Sequence, residues 1–338
     1  MTLFWIVMIP FSILDLAPIA ENKSIAQALV NTRTMAVKAE QCGFHRVWLA
    51  EHHAMRGVAS SATAVVIGNI GAVTEKIRIG AGGIMLPNHS PLIIAEQFGT
   101  LAELFPGRID LGLGRAPGTD MATARALRRN MNAGVEDYPR DIQELQSLLG
   151  PIQNGQNVIA IPGANTNVPL WLLGSSLYSA QLAAQLGLPY TFASHFAPDQ
   201  LFDAINLYKT GFRPSQQLQK PYMMAGVMAV VADTDEEAQY LFSSVQQQFV
   251  NLRRGINRPF ALPVDDMSSY WSAAEKAMVE HTLQYAIVGN KQRAQEKLEQ
   301  FIENAQIDEL ILSVPIHDMQ ARLKTMEMIT DMGVMQKH

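Results

Sequence analysis

Apolar residues recur along this chain in short runs, each closed by glycine or polar residues. A longer stretch follows each run, with apolar positions spaced three or four residues apart. The short runs read as strands buried on both faces, and the longer stretches as amphipathic helices. Strands are predicted at residues 10–16, 46–50, 77–81, 109–112, 170–173, 190–193, 223–231 and 309–313. A helix opens after Ser24, an N-cap residue, and runs to Cys42, where Gly43 supplies a left-handed stop. Further helices are predicted from Ser60 or Ser61 to Val73, and from Pro91 behind Ser90 to Phe105. Others cover residues 121–131, 140–149, 177–187 and 198–212, a segment opened by Asp233 or Thr234 and reaching Val250, then 290–304 and 318–332. Residues 150–169 read as an irregular excursion, and residues 253–275, with Gly255, Pro259 and Pro263, as a lid-like insertion or mobile loop.

Eight strand-then-helix units without an interdomain linker fit one (β/α)8 TIM barrel over residues 1–338, with insertions near 116–169 and 251–285. A six-stranded doubly wound sheet is the alternative. It is weakened because no Gly-x-Gly-x-x-Gly follows the first strand.

Composition narrows the function classes. A chain of 338 residues with 48% hydrophobic content can bury a large core. A formal charge of −5, with no local block of Lys and Arg, argues against a general nucleic-acid binder. The single cysteine, Cys42, excludes an internal disulfide and a Cys-rich metal site, and its place at a helix end points to packing. The apolar run at residues 3–9 is far short of the roughly 20 residues a spanning helix needs. It also lacks preceding basic residues and a following cleavage pattern, so it reads as a lead-in to, or part of, the first strand. The expectation is a soluble, cytoplasmic protein.

The candidate chemistry gathers at the C-terminal ends of the predicted strands, where barrel enzymes keep their sites. The second strand ends in Glu51-His52-His53, and alternation puts Glu51 and His53 on one face and His52 on the other. Gly80-Ala-Gly-Gly83 permits a flat ligand to approach the main chain closely, although a turn would use the same residues. Gly174-Ser-Ser176 precedes a helix, so Ser175, Ser176 and the backbone N–H groups form an anion site best matched to phosphate; Arg115 can add a guanidinium. Taken alone, the two serines read first as plain helix caps. Metal binding is weakened because adjacent histidines on extended chain diverge; His89 and His195 could add ligands, but no spacing demands them. Ser175 lacks the Gly-x-Ser-x-Gly elbow of a covalent nucleophile.

Taken together and in order, several segments resemble the bacterial luciferase-like, flavin-dependent monooxygenases, and the uncharacterised bacterial members more than the light-emitting subunits. They are Gly43-Phe with Val47-Trp-Leu-Ala-Glu-His-His53, Ile79-Gly-Ala-Gly-Gly-Ile-Met-Leu-Pro87, Ala95-Glu-Gln97, Gly107-Arg-Ile-Asp-Leu-Gly-Leu-Gly-Arg115, Gly174-Ser-Ser176 and Ala183-Ala-Gln-Leu-Gly-Leu-Pro189. The resemblance implies a TIM barrel that binds reduced FMN at its C-terminal mouth. A separate flavin reductase would deliver the FMNH2, and a small organic substrate would be oxygenated with O2. His52 matches the catalytic histidine, with Glu51 and His53 beside it in support and Glu51 counted on the cofactor side. Gly82-Gly83 matches a non-prolyl cis peptide against the flavin ring. Arg115, Ser175 and Ser176 match phosphate-binding residues, Arg125 a second arginine, and Tyr178 a position where the luciferases use threonine. Gly114 stands where luciferase has a reactive cysteine, so that thiol has no counterpart here. Residues 253–275 fall near the family's mobile active-site loop, and the family implies a homodimer. An F420-dependent hydride-transfer enzyme and a non-catalytic flavin-binding protein are the alternatives within the same resemblance; a metal-dependent barrel hydrolase lies outside it.

Overall fold

In the computed structural model, residues 8–116, 121–127 and 135–337 are described. The chain forms β1 (Ile9–Asp15), α1 (Ile25–Cys42), β2 (Arg46–Leu49), α2 (Thr63–Gly71), β3 (Arg78–Met85), α3 (Pro91–Leu104) and β4 (Ile109–Gly114). Then come α4 (Met121–Leu127), α5 (Tyr138–Leu149), β5 (Leu170–Gly174), α6 (Leu177–Leu186), β6 (Tyr190–Phe192), α7 (Leu201–Gly211) and β7 (Met223–Ala232). The last third adds α8 (Asp235–Arg253), α9 (Ala273–Thr282), β8 (Ile287–Asn290), α10 (Lys291–Ala305), β9 (Glu309–Ser313), α11 (Met319–Thr330) and β10 (Met335–Gln336).

Strands β1 to β7 pair in sequence, all parallel, and β9 lies between β7 and β1 to close the ring. The eight predicted strands are therefore the eight barrel strands. Two further strands lie off the barrel. The short β8 pairs with Ala229–Ala232, beyond the stretch of β7 that pairs with β9, so one long strand serves two partners. β10 pairs with the start of β1. Most of the predicted run at residues 3–9 falls outside the described residues; Ile9 opens β1.

Local signals act as expected at several ends. Ser24 Oγ accepts from the Gln27 N–H at 3.1 Å, Gly43 closes α1 at φ 79°, and Thr234 Oγ1 accepts from the Glu237 N–H at 3.1 Å. The helix predicted from Ser60 or Ser61 starts instead at Thr63, because both serine side chains hold carbonyls at the end of β2. The helix predicted over 121–131 is described over Met121–Leu127. No described helix is long and apolar enough to cross a membrane.

Alternation along each strand divides the core into two layers. The outward side chains pack beneath the helices, whereas Leu14, Trp48, Ala50, Trp171, Met224 and Ile311 cluster separately inside the barrel. Below them, nearer the strand starts, the interior is polar. Arg46 donates through Nε and Nη2 to the two oxygens of Glu309 at 2.7 and 2.8 Å, and through Nη1 to Asp110 at 2.7 Å. Ser12 and Tyr222 also donate to Glu309, while Trp48 Nε1 and Arg78 donate to Asp110. The Arg46 guanidinium lies 4.7 Å from the Trp171 ring centroid. Two arginines and two carboxylates thus meet with their charges matched and hydrogen-bonded, as burial requires.

The segment expected as a lid-like or mobile insertion is fastened across the mouth. The Phe260 N–H donates to Ile19 O at 2.9 Å and the Glu21 N–H to Phe260 O at 2.7 Å. Arg258 pairs with Glu21 at 2.9 Å, and Asn257 joins Arg56 N and Ala54 O, each at 2.7 Å. Five backbone and side-chain anchors tie this segment to the loops after β1 and β2. Its Gly and Pro content marked irregular backbone correctly, but irregular backbone is not by itself mobile.

Candidate active site

The chain leaves β2 still extended, since the Ala50 N–H donates to Asp15 O at 2.9 Å. Ser60 and Ser61 then donate to the carbonyls of Ala50 and His52 at 2.5 and 2.7 Å, which fixes the Glu51-His52-His53 turn against the start of α2. Glu51 is buried, at 1% exposure. Its Oε1 accepts from His53 Nε2 at 2.6 Å and from His89 Nε2 at 2.8 Å, and its Oε2 accepts from the Met85 N–H at 3.2 Å. Burial alone would push this carboxyl up; the bond and charge of His89, the His53 bond and the Met85 N–H outweigh it and hold it below the ordinary carboxylate value. The pairing predicted from alternation is present between Glu51 and His53, and His52 is half-buried. Glu51, expected on the cofactor side, has both oxygens engaged in tying β2 to the loop after β3.

Sequence spacing did not reveal His89, which lies 38 positions from Glu51 along the chain. Its only signal was its place in Pro87-Asn-His-Ser-Pro91, a loop bounded by prolines at a strand end. Glu51, His53 and His89 each offer one ligand atom, all within 4.8 Å of one another. The short distances to a shared Glu51 oxygen suit hydrogen bonds; ligands around a tetrahedral ion stand roughly 3.4 Å apart, given metal–nitrogen bonds near 2.1 Å.

The β3–β4 side of the barrel carries a bare stretch of backbone. The Gly82–Gly83 peptide is cis, as the resemblance implied, and the β3–β4 register shifts between Ala81 and Ile84. A Cβ at position 82 would stand 2.9 Å from Leu14 Cδ1 and from Trp48 Cε3; one at 83 would stand 2.7 Å from Gly112 O. Neither position has room for a side chain. The result is a flat surface of main chain lying on the Leu14 and Trp48 side chains.

A third group forms where β4 and β5 end. Ser176 takes the N-cap position of α6, yet its side chain makes no capping bond, so the reading of the serines as plain caps does not describe it. The Arg115 guanidinium lies 4.2 Å from the ring centroid of Tyr178, in the first turn of α6. Tyr178 therefore meets the cation with its ring face. Tyr138 Oη donates to Leu113 O at 2.8 Å, and burial, followed by the charge of Tyr178, raises its phenol against the opposing charge of Arg115. Ser179 holds the approach to the helix by donating to Ser176 O at 2.9 Å. Ser175 is half-buried in the same turn. Arg125 is exposed on α4 and is not joined to this group by any described contact; the neighbouring Arg128 and Arg129 lie outside the described residues.

The profile of the family described as Luciferase-like monooxygenase matches residues 9–309. The chain belongs to the luciferase-like monooxygenase family. It is 49% identical over 323 residues to the "Luciferase-like monooxygenase" of Escherichia coli K12, covering 96% of each chain. It is 51% identical over 321 residues to the "Uncharacterized protein YvbT" of Bacillus subtilis, covering 95% of each. Among solved structures, apo-MsnO8 superposes with a TM-score of 0.86 at 29% identity, over 98% of this chain and all of the other.

Proposed function

We propose that this protein is the oxygenase component of a two-component flavin monooxygenase, with reduced FMN delivered by a separate reductase, O2 as co-substrate and a small organic molecule as substrate. One observation carries the reading: Arg115 is stacked on the first turn of a helix whose N-cap serine leaves its hydroxyl out of capping. A helix N-terminus, a free hydroxyl and a guanidinium together suit a phosphate. The FMN ring has a matching place in the side-chain-free Gly82–Gly83 backbone, where any Cβ would collide with neighbours. These residues fit FMN.

Bound reduced FMN would supply the electrons for reaction with O2. The protein's own residues then have separable tasks. Arg115, Ser175, Ser176 and the first N–H groups of α6 hold the phosphate. Gly82 and Gly83 admit the ring, and buried Leu14 and Trp48 keep water from beneath it. His52, at the end of β2, would hold or move a proton at its imidazole. Glu51, with His53 and His89, holds the turn that aims it.

The test is a titration of the purified protein with FMN, riboflavin and F420, followed by a reductase-coupled screen for O2-dependent product. FMN should bind most tightly, and His52→Ala should bind FMN normally while losing most product. Binding of F420 with no affinity for FMN would overturn the reading; FMN binding with no O2-dependent product would leave a flavin-binding protein without the enzyme. Unchanged product from His52→Ala would remove that residue's role.

A further inference from the structure

A second imidazole stands opposite His52. In the closed ring of eight strands, β2 and β6 are four places apart and therefore face each other across the mouth. His52 follows the last residue of β2 by three positions, and His195 follows the last residue of β6 by three. The His195 turn is drawn inward onto β7, because Ser194 Oγ donates to Gly226 O at 2.7 Å. Gly226 shares the inner face of β7 with Met224, and a Cβ there would run into His195 Nδ1. Glycine at 226 thus makes room for the imidazole.

The ring is unusual in its bonding. Its Nδ1 is shut off from solvent and has no hydrogen-bond partner among the described residues, although the residue keeps part of its surface open. A buried polar atom without a partner is uncommon and calls for an explanation. The Phe196 ring stands edge-on at 4.8 Å. Burial, followed by the charge of His52, lowers the His195 pKa to about 4. His195 is therefore neutral at neutral pH, and among the described residues no carboxylate, lysine or arginine pairs with its ring.

We propose that His195 is the substrate-binding imidazole of this site: with Nδ1 closed against Gly226, its proton sits on Nε2 and is donated to a neutral carbonyl oxygen of an apolar substrate held between His195 and His52. The assignment deepens the monooxygenase reading and rests on it. The tautomer follows from the surroundings, since the nitrogen without an acceptor keeps the lone pair and the other carries the hydrogen. A carboxylate in the same place would be desolvated against a neutral donor and disfavoured.

The experiment uses the full chain and three probes: 2-decanone, decanoate and FMN. Calorimetry should show the wild type binding 2-decanone at least about tenfold more tightly than decanoate. His195→Phe should weaken 2-decanone about fivefold to tenfold, the loss of one neutral hydrogen bond, and leave FMN affinity unchanged. His195→Gln, which keeps a donor, should stay within about threefold of wild type. Nitrogen-15 NMR of labelled histidine should show His195 neutral and protonated at Nε2 at pH 7, shifting when 2-decanone is added. Should His195→Phe fail to fold, Gly226→Ala, which displaces the ring, should give the same loss. Equal 2-decanone binding by wild type and variant, decanoate binding as tight as 2-decanone, or no binding of either probe to wild type overturns the proposal. Failure of wild type to bind FMN, with ketone binding still dependent on His195, would instead overturn the flavin reading alone.

Discussion

The Arg115 guanidinium lies 4.2 Å from the Tyr178 ring centroid, which holds the cation at the first turn of α6. Arg115→Ala should weaken FMN binding by roughly 10- to 100-fold, as expected for losing hydrogen bonds to a charged group, and leave riboflavin binding unchanged. Tyr178→Phe keeps the ring face and should bind FMN like wild type. Tyr178→Leu should lose about three- to fivefold, near the 0.5–1 kcal/mol of an exposed cation–π pair. Fluorescence titration with both flavins separates these cases. Equal losses for FMN and riboflavin in Arg115→Ala would show that the arginine does not read the phosphate.

Gly82 and Gly83 make different demands although they share one peptide. A Cβ at 83 meets the main-chain oxygen of Gly112 at 2.7 Å, and backbone inside a sheet cannot withdraw. Gly83→Ala should therefore destabilise the fold by about 1–3 kcal/mol, the usual cost of overpacking. At 82 the neighbours are the side chains of Leu14 and Trp48, and Leu14 can turn. Gly82→Ala should cost less stability and lower FMN affinity more. Urea unfolding and FMN titration of the two variants check the contrast; an identical pattern in both would refute it.

The barrel was legible because all eight of its strands are short apolar runs buried on both faces. β8 was not, since Ile287-Val-Gly-Asn290 is only four residues long and half apolar, and pairs with a strand that already has a partner. The Glu51–His53 pairing followed from alternation alone. His89 and His195 could not be assigned that way, because the first reaches Glu51 from another strand's loop and the second is placed by Gly226. The polar core of Arg46, Asp110 and Glu309 is formed by residues at the first or second position of three separate predicted strands. Only barrel closure brings them together.

That polar core predicts a distinctive stability pattern. Arg46→Met removes the partner of both Glu309 and Asp110 and should destabilise the protein by about 3–5 kcal/mol, since carboxylates are then left buried without it. Glu309→Gln keeps the shape and should cost less. Neither change reaches the flavin surface, so FMN affinity of whatever fraction folds should be unaltered. Urea unfolding measures the first claim. A loss below about 1 kcal/mol for Arg46→Met would mean that the cluster contributes little.

Acid should destabilise the protein in two separable steps. The His195 pKa falls from 6.5 to about 4 on folding, so between those values the unfolded chain binds the proton more readily. Its contribution is complete above pH 6.5 and is lost as the pH falls toward 4, a range worth up to about 3 kcal/mol. Glu51 is also lowered on folding, from 4.5, by its bonds to His89, His53 and the Met85 N–H against the opposing effect of burial. Its contribution is present above pH 4.5 and is lost as the pH falls through the lowered value. His195→Phe should flatten the first step and keep the second; Glu51→Gln should do the reverse, with lower stability at neutral pH. Unfolding free energies measured in urea from pH 7 to pH 3 resolve the steps. A His195→Phe profile parallel to wild type from pH 6.5 to 4 would show that this imidazole is not held neutral by the fold, and would remove the electrostatic reason for a neutral substrate beside it.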